Sequence, residues 1–385
     1  MKKLLFVGSA ISALIASPAY SQDVKADENG ITVEGDNFEL VFGGRLHLDT
    51  VSVNDDITIV PSRTDIRRLR IDATLTIADD FRFKIDRDIG GLSTGWKNLW
   101  AEYRGIDNLS LKAGQMIAPF NGEDMKSSND LKLMERGLPS ALAPNFAVGG
   151  SASYRGKNWS VTGGYFGNPL DQDPIRATDQ GRSIVGRAVF APIDEREQAI
   201  HLAGAIEYRN LRDLEPSRVS AQPEFGLSGI TLIRTRSQPD VQSYMNYNFE
   251  AGYMNGPFLI QGQYIMRKND APLIGDPTYK GASVEAAFVL TGERQRYSSS
   301  SGTFGGIRPK GKFGAVEVAT RFSTLDLTDG PITGGKQTNY SVGVNWYITR
   351  NFRFMANYVN AKAKPNSTGI NENVNAFMGR FQIAF

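Results

Sequence analysis

Along most of the chain, apolar and polar residues alternate with a period of two, as expected when a strand sends successive side chains to opposite faces. The last segment shows it plainly. Phe377, Phe381, Ile383 and Phe385 share one parity, and Met378, Arg380, Gln382 and Ala384 share the other. Upstream, Phe352, Phe354, Ala356 and Tyr358 oppose Arg353, Met355, Asn357 and Val359, and Tyr340, Val342, Val344 and Trp346 oppose Ser341, Gly343, Asn345 and Tyr347. The pattern predicts strands near 38–53, 63–78, 80–88, 97–105, 108–116, 147–155, 158–166, 182–191, 198–209, 242–255, 256–267, 278–290, 312–325, 337–348, 351–362 and 374–385, about sixteen in all. An even number suits a closed antiparallel barrel. The extended-looking stretch 224–236 is placed inside a long loop, 210–241, because counting it would make the total odd.

The connections alternate in length. Short ones at 79–80, 106–107, 156–157, 255–257 and 349–350 suit the periplasmic side of a barrel. Longer ones at 54–62, 117–146, 168–181, 210–241, 268–277, 326–336 and 363–373 suit the outside. The stretch 291–311 is long where a periplasmic turn is expected. The longest early loop, 117–146, is expected to carry a short helix from Asp130 to Arg136 capped by Ser128 or Asn129, and to fold into the lumen as a constriction.

A soluble sandwich also alternates, but its polar face would not carry charge or glycine in nearly every strand. Here it does, as the wall of a wet lumen would. Mean hydropathy is −0.31, and past the first residues no stretch approaches the ~20 apolar residues of a membrane helix. Lys2 and Lys3, the apolar run Leu4 to Ile15, and the small residues Ala19 and Ser21 read as a signal peptide, 1–21, cleaved before Gln22. Residues 22–37 then form a short periplasmic segment, and 38–385 the barrel.

The chain has no cysteine, which excludes disulfides and thiolate metal sites, and its formal charge of +2 gives no footprint for nucleic acid. His47 and His201 are the only histidines and both lie on the lumen parity, so catalytic or metal chemistry has little to build on. Gly330 to Lys336 approaches a phosphate-binding loop, but Gln337 stands where Ser or Thr is needed, and it reads as a glycine-rich surface loop. Cations of the lumen parity are Arg45, Arg68, Arg70, Arg82, Lys84, Lys112, Arg187, Arg321, Arg353 and Arg380. Acids of the same parity include Glu39, Asp49, Asp72, Asp86, Glu207, Glu285 and Glu317. The densest cluster, Arg67, Arg68 and Arg70 with Arg45 on the preceding strand, would line one wall of a pore. Cationic linings select anions by replacing part of their hydration; a mixed, salt-bridged and unselective lumen is the other reading.

The stretches GGRLHLD (43–49), RRLRIDATL (67–75), KAGQMIAPF (112–120), MERGLP (134–139), WSVTGGYFGNP (159–169), VLTGERQRY (289–297), GAVEVATRFSTLDL (314–327) and NWYITRNFRFMANYV (345–359) together resemble the phosphate-selective porin O and P family. The resemblance spans nearly the whole chain after residue 21. It implies an outer-membrane barrel of sixteen strands, a homotrimer, with the third extracellular loop folded inside and no cofactor. By motif position it assigns Arg45, Arg68, Arg136 and Lys126 to an anion constriction. The loop 210–241 departs from the family's phosphate-selective pattern. Arg209, Arg212, Arg218, Arg234 and Arg236 lack the every-second-residue spacing of an arginine ladder. The expected function is passive diffusion of small anions such as phosphate or polyphosphate. A general diffusion porin is the alternative, and a barrel enzyme with a nucleophile and base on one rim is the alternative of another class.

Overall fold

The computed structural model describes residues 23–27, 30–91, 94–170, 180–211 and 217–385. The expected signal peptide and Arg212 lie outside them. Sixteen long strands follow one another: β1 (Phe38–Asn54), β2 (Arg63–Ile77), β3 (Phe81–Gly90), β4 (Gly95–Ile106), β5 (Leu109–Ile117), β6 (Phe146–Arg155), β7 (Trp159–Phe166), β8 (Arg182–Asp194), β9 (Gln198–Asn210), β10 (Ser243–Asn255), β11 (Phe258–Asp270), β12 (Thr278–Val289), β13 (Ala315–Asp329), β14 (Ile332–Tyr347), β15 (Phe352–Ala363) and β16 (Glu372–Ala384). Each pairs antiparallel with the next, and β16 closes the sheet on β1 with Phe381 opposite Leu48 and Gly379 opposite Thr50. Closure leaves no spanning strand with an open edge, the condition for crossing lipid with strands.

The Phe385 amide donates to the Gly44 carbonyl at 3.0 Å and the Gly44 amide donates to Phe385 at 2.9 Å. Below that point β1 outruns β16. Its free edge is taken by the short strand Gly30–Gly35, which pairs in turn with Asp23–Asp27.

The side chains are arranged inside out relative to a soluble protein. Phe352, Phe354, Phe377, Tyr340, Val342 and Val344 are exposed on the outside, while Arg353, Asn357, Arg380, Gln382, Ser341 and Asn345 are buried within. Exposing such a band to water would cost ~1.5–3 kcal/mol per large side chain, so lipid is its solvent. At one end Phe313, Trp346, Phe354 and Phe381 pack in sequence, with centroids 5.2, 6.1 and 4.9 Å apart, as an interfacial aromatic belt.

Three connections differ from expectation. The long loop expected at 326–336 is instead a tight hairpin. Gly330, at φ 54°, takes the left-handed turn position, and β13 and β14 continue to Asp329 and Ile332. Gly330 to Lys336 therefore belongs to a hairpin rather than to the strand–loop–helix setting of a phosphate-binding loop. The stretch 130–136 forms no helix. A single turn, α1 (Gly122–Met125), forms earlier, where the Asn121 side chain accepts from the Asp124 amide at 2.8 Å. The connection between β12 and β13 is long but does not change the strand count. It leaves from the end carrying the short turns and folds back into the lumen as a small hairpin, Arg296–Ser298 with Thr303–Gly305. Loop 211–242 holds its extended stretch as a two-residue pairing, Ser220–Ala221 with Ile233–Arg234, without joining the barrel.

Candidate constriction

The inner wall acquires its charge by strand geometry. In the β1–β2 pair, His47 lies opposite Arg68 but Leu48 lies opposite Ile66, so Arg67 is an extra residue in β2. Such a bulge breaks alternation and re-aims a side chain. Consecutive residues Arg67 and Arg68 thus both reach the lumen. Arg67 donates to Glu135 of loop 118–145 at 2.7 Å, and Arg68 lies 3.8 Å from the same carboxylate.

Loop 118–145 lies inside the barrel because arginines of the far wall hold its backbone. Arg353 donates to the Asn129 and Leu131 carbonyls at 3.0 and 2.7 Å, Arg380 to Met134 at 3.0 Å, and Arg321 to Glu135 at 2.7 Å. Arg267 donates to Leu142 at 2.7 Å. Several carbonyls that a helix over 130–136 would need are thereby committed to the wall, which is why no helix forms there. Lys132 is wholly buried. It lies 3.1 Å from Glu317 and donates to Gln295 at 2.6 Å and to the Gly305 carbonyl at 3.3 Å, tying the loop to β13 and to the inward hairpin. Glu224 of loop 211–242 joins this network. It sits at φ 65° and accepts from the Leu138 amide at 3.1 Å, Arg321 at 2.7 Å and Ser341 at 3.2 Å. A left-handed conformation for a non-glycine residue persists where several partners fix it.

This packing separates the candidate cations into two sets. Arg187, Arg321, Arg353 and Arg380 were expected to line the pore, but all are at most 4% exposed and covered by the inward loops. Arg380 meets Asp49 at 2.7 Å, and Arg187 meets Glu250 at 2.8 Å and the Ser301 carbonyl at 2.9 Å. They anchor loops; parity could show that they point inward but not that a loop distant in sequence lies over them. His47 and His201 are likewise covered, His47 within 3.0 Å of Asn129 and His201 within 2.9 Å of Tyr297.

The other set surrounds a cavity of about 1100 Å³ between loop 118–145 and the wall of β1 to β7. Arg45, Arg68, Arg70, Arg82, Lys84, Lys112, Lys126 and Arg136 all line it, with Arg67, Lys97, Arg104 and Arg155 in addition. Twelve cationic residues thus face six acidic ones, Asp86, Glu102, Asp107, Asp124, Glu135 and Glu224. Of the additions, Arg155 shares the parity of Ser151 and Ser153 and was legible as lumen-facing. Lys132 and Glu224 sit in aperiodic loops and carry no such signal.

Most of these cations are balanced. Arg70 meets Asp88 at 2.8 Å, Lys84 meets Asp72 at 3.1 Å, and Lys112 meets Glu102 at 3.6 Å. Arg136 closes the loop on itself, donating to the Glu123 and Lys126 carbonyls at 3.0 and 2.9 Å beside Asp124 at 3.1 Å. Arg45 differs: among the described residues it donates only to the hydroxyls of Ser127 and Ser128, at 3.2 and 3.1 Å. Neither Arg45 nor Lys126 has a carboxylate in ion-pair reach among the described residues. Burial lowers the Lys126 ammonium from its ordinary range, partly offset by Glu285 and Glu123. Burial also pushes the Asp124 carboxyl up to about 6 against the pull of Arg136. For Glu135 burial acts upward, but Arg67 and Arg68 outweigh it and hold the group well below the usual carboxylate range. The candidate constriction therefore presents two cations without carboxylate partners among the described residues, Arg45 partly exposed and Lys126 largely buried, next to acids that carry their own cations, an arrangement able to take a small, strongly hydrated anion.

Residues 41–385 match the model of the family described as phosphate-selective porin O and P. Porin O of Pseudomonas aeruginosa is 24% identical over 435 residues, covering 99% of this chain and 98% of that protein. Among solved structures, the anion-selective porin from Comamonas acidovorans superposes with a TM-score of 0.57 at 14% identity, covering 90% of this chain and 100% of that one. In-vitro folded OmpT of Vibrio cholerae, in a trimer form, gives 0.57 at 12% identity over 91% and 100%. The outer membrane channel DcaP of Acinetobacter baumannii gives 0.57 at 9% identity over 91% and 98%. At these identities the likeness is one of fold.

Proposed function

The chain belongs to the phosphate-selective porin O and P family, and from that premise we propose a passive channel whose constriction favours small anions, phosphate and polyphosphate first. It is an outer-membrane porin. Arg45, Arg68, Lys126 and Arg136 form the anion site, and Arg70, Arg82, Lys84 and Lys112 continue the cationic wall beyond it. One observation carries this reading: Arg45 and Lys126 face the same cavity without ion-pair partners among the described residues. An unpaired cation is the group an anion can claim without breaking an existing bridge. Residues 1–21 direct export and are removed, and N-terminal sequencing of the mature protein would begin at Gln22. The working form is a homotrimer, a state supported by the family resemblance and by the trimer form of OmpT; cross-linking in outer membranes reads it directly.

The decisive experiment is reconstitution of the purified protein in a planar bilayer under a salt gradient. A reversal potential of anion sign, with millimolar phosphate reducing the chloride current, is the expected result. Cation preference would overturn the proposal. Anion preference without phosphate block would reduce it to a weakly selective diffusion porin.

A further inference from the structure

One aromatic side chain does not fit a channel built only for inorganic anions. Trp100 of β4 points into the lumen and lines the cavity, whereas a barrel normally keeps tryptophan at the lipid interface. It is only partly buried. Lys84 lies opposite it on β3 and Gly114 opposite it on β5. Gly114 sits at φ 126°, and a Cβ there would come within 2.7 Å of the Trp100 Cα, so the position paired with Trp100 on β5 carries no side chain. The Lys112 ammonium lies 4.3 Å from the ring centroid and the Arg82 guanidinium carbon 5.8 Å away. Two cations therefore lie over one indole, and a third, Lys84, holds the paired position on the neighbouring strand. The acids within their reach are Glu102, shared by Lys112 and Arg82 at 3.6 and 4.0 Å, and Asp72, held by Lys84 at 3.1 Å. One positive charge is left over beside a flat apolar surface.

We propose that Trp100, Lys112 and Arg82 form a second subsite, away from Arg45 and Lys126, for organic anions that join a planar ring to a carboxylate. The ring stacks on the indole by moving aside the Lys112 ammonium that lies over it, and the carboxylate takes the surplus cation. An aliphatic anion of equal charge satisfies only the second half. The inference rests on the porin reading but not on phosphate selectivity.

Chloride current through single channels of the full protein would be recorded while benzoate, acetate or phosphate is titrated from the side of the short turns. Benzoate is expected to reduce the current at concentrations at least tenfold below acetate. Trp100→Ala should raise the half-blocking benzoate concentration to that of acetate and leave phosphate block within twofold, which also reports an intact barrel. Trp100→Phe, which keeps a flat face, should lie between. If benzoate and acetate block alike in the unaltered protein, or if Trp100→Ala leaves benzoate block unchanged, the subsite does not exist. Loss of phosphate block in the unaltered protein would instead strike the proposed constriction.

Discussion

Among the cavity residues, pairing decides what a substitution does. Lys126 has no carboxylate to release, so Lys126→Gln removes charge from the constriction and leaves no orphaned partner. A unit charge at 4 Å and an effective dielectric near 20 interacts by about 4 kcal/mol, and the anion's own desolvation offsets most of it. The surplus expected is about 1.4 kcal/mol, read as a roughly tenfold rise in the half-blocking phosphate concentration. Arg45→Gln should behave alike, and an unchanged block in both variants would remove these residues from the site. Arg68→Glu should lower or invert the anion-to-cation permeability ratio, since it places a second carboxylate beside Glu135. Asp124 gives the constriction a pH response. Its carboxyl titrates at about 6, so above that value it is charged and offsets Arg136, and below it the cavity gains one net positive charge. The permeability ratio for anions should therefore rise as pH falls from 8 to 5. Asp124→Asn should hold the ratio at its acid value throughout, and a flat profile in the unaltered protein would contradict the assignment.

Between elements, the same residue type does two jobs. Arg380 lies with Asp49 in a fully covered pair, while Arg82 shares Glu102 at 4.0 Å with its side chain 40% exposed. Removing one partner of a buried pair costs ~3–5 kcal/mol, and an exposed pair is worth ~0–1 kcal/mol. Arg380→Gln should lower the temperature at which the folded barrel loses its fast gel mobility, and should widen the conductance distribution as loop 118–145 loosens. Arg82→Gln should leave that temperature unchanged. Lys132→Met should resemble Arg380→Gln, because it strands Glu317. This division also marks where sequence reading stops. The sixteen strands follow from a period of two, interrupted by bulges, because each residue either meets lipid or does not. The charged partners of the inner loops leave no period: Lys132 meets Gln295 and Glu317, and Glu224 meets Arg321, across separations set by the closed barrel. The bulge at Arg67 and the tight turn at Gly330 are single-residue departures within otherwise regular strands, which alternation alone does not locate.

Taken as one body, the barrel has two unlike inner walls. The wall of β1 to β7 faces the cavity, and its cations range from buried at Arg68 to 40% exposed at the Arg82 side chain. The wall of β8 to β16 lies largely under loops 118–145 and 211–242 and the inward hairpin. On the proposed reading, solute and permeant water run along the cationic side, and the field there acts through electrolyte. Screening then separates two ways of selecting an anion. If the distributed excess of twelve cations over six acids does the work, raising salt from 0.1 to 1 M shortens the Debye length from ~10 to ~3 Å and largely removes it. If contact with Arg45 and Lys126 does the work, the interaction lies inside one screening length and persists. We expect both in sequence. The anion-to-cation permeability ratio for chloride should fall steeply over that range, because chloride senses mainly the field. The half-blocking phosphate concentration, corrected for competition by chloride, should rise by less than about tenfold, because the bound oxyanion is held by contact. Parallel collapse of both quantities would mean that the pore attracts phosphate without binding it, and the cavity would then act as a charged vestibule.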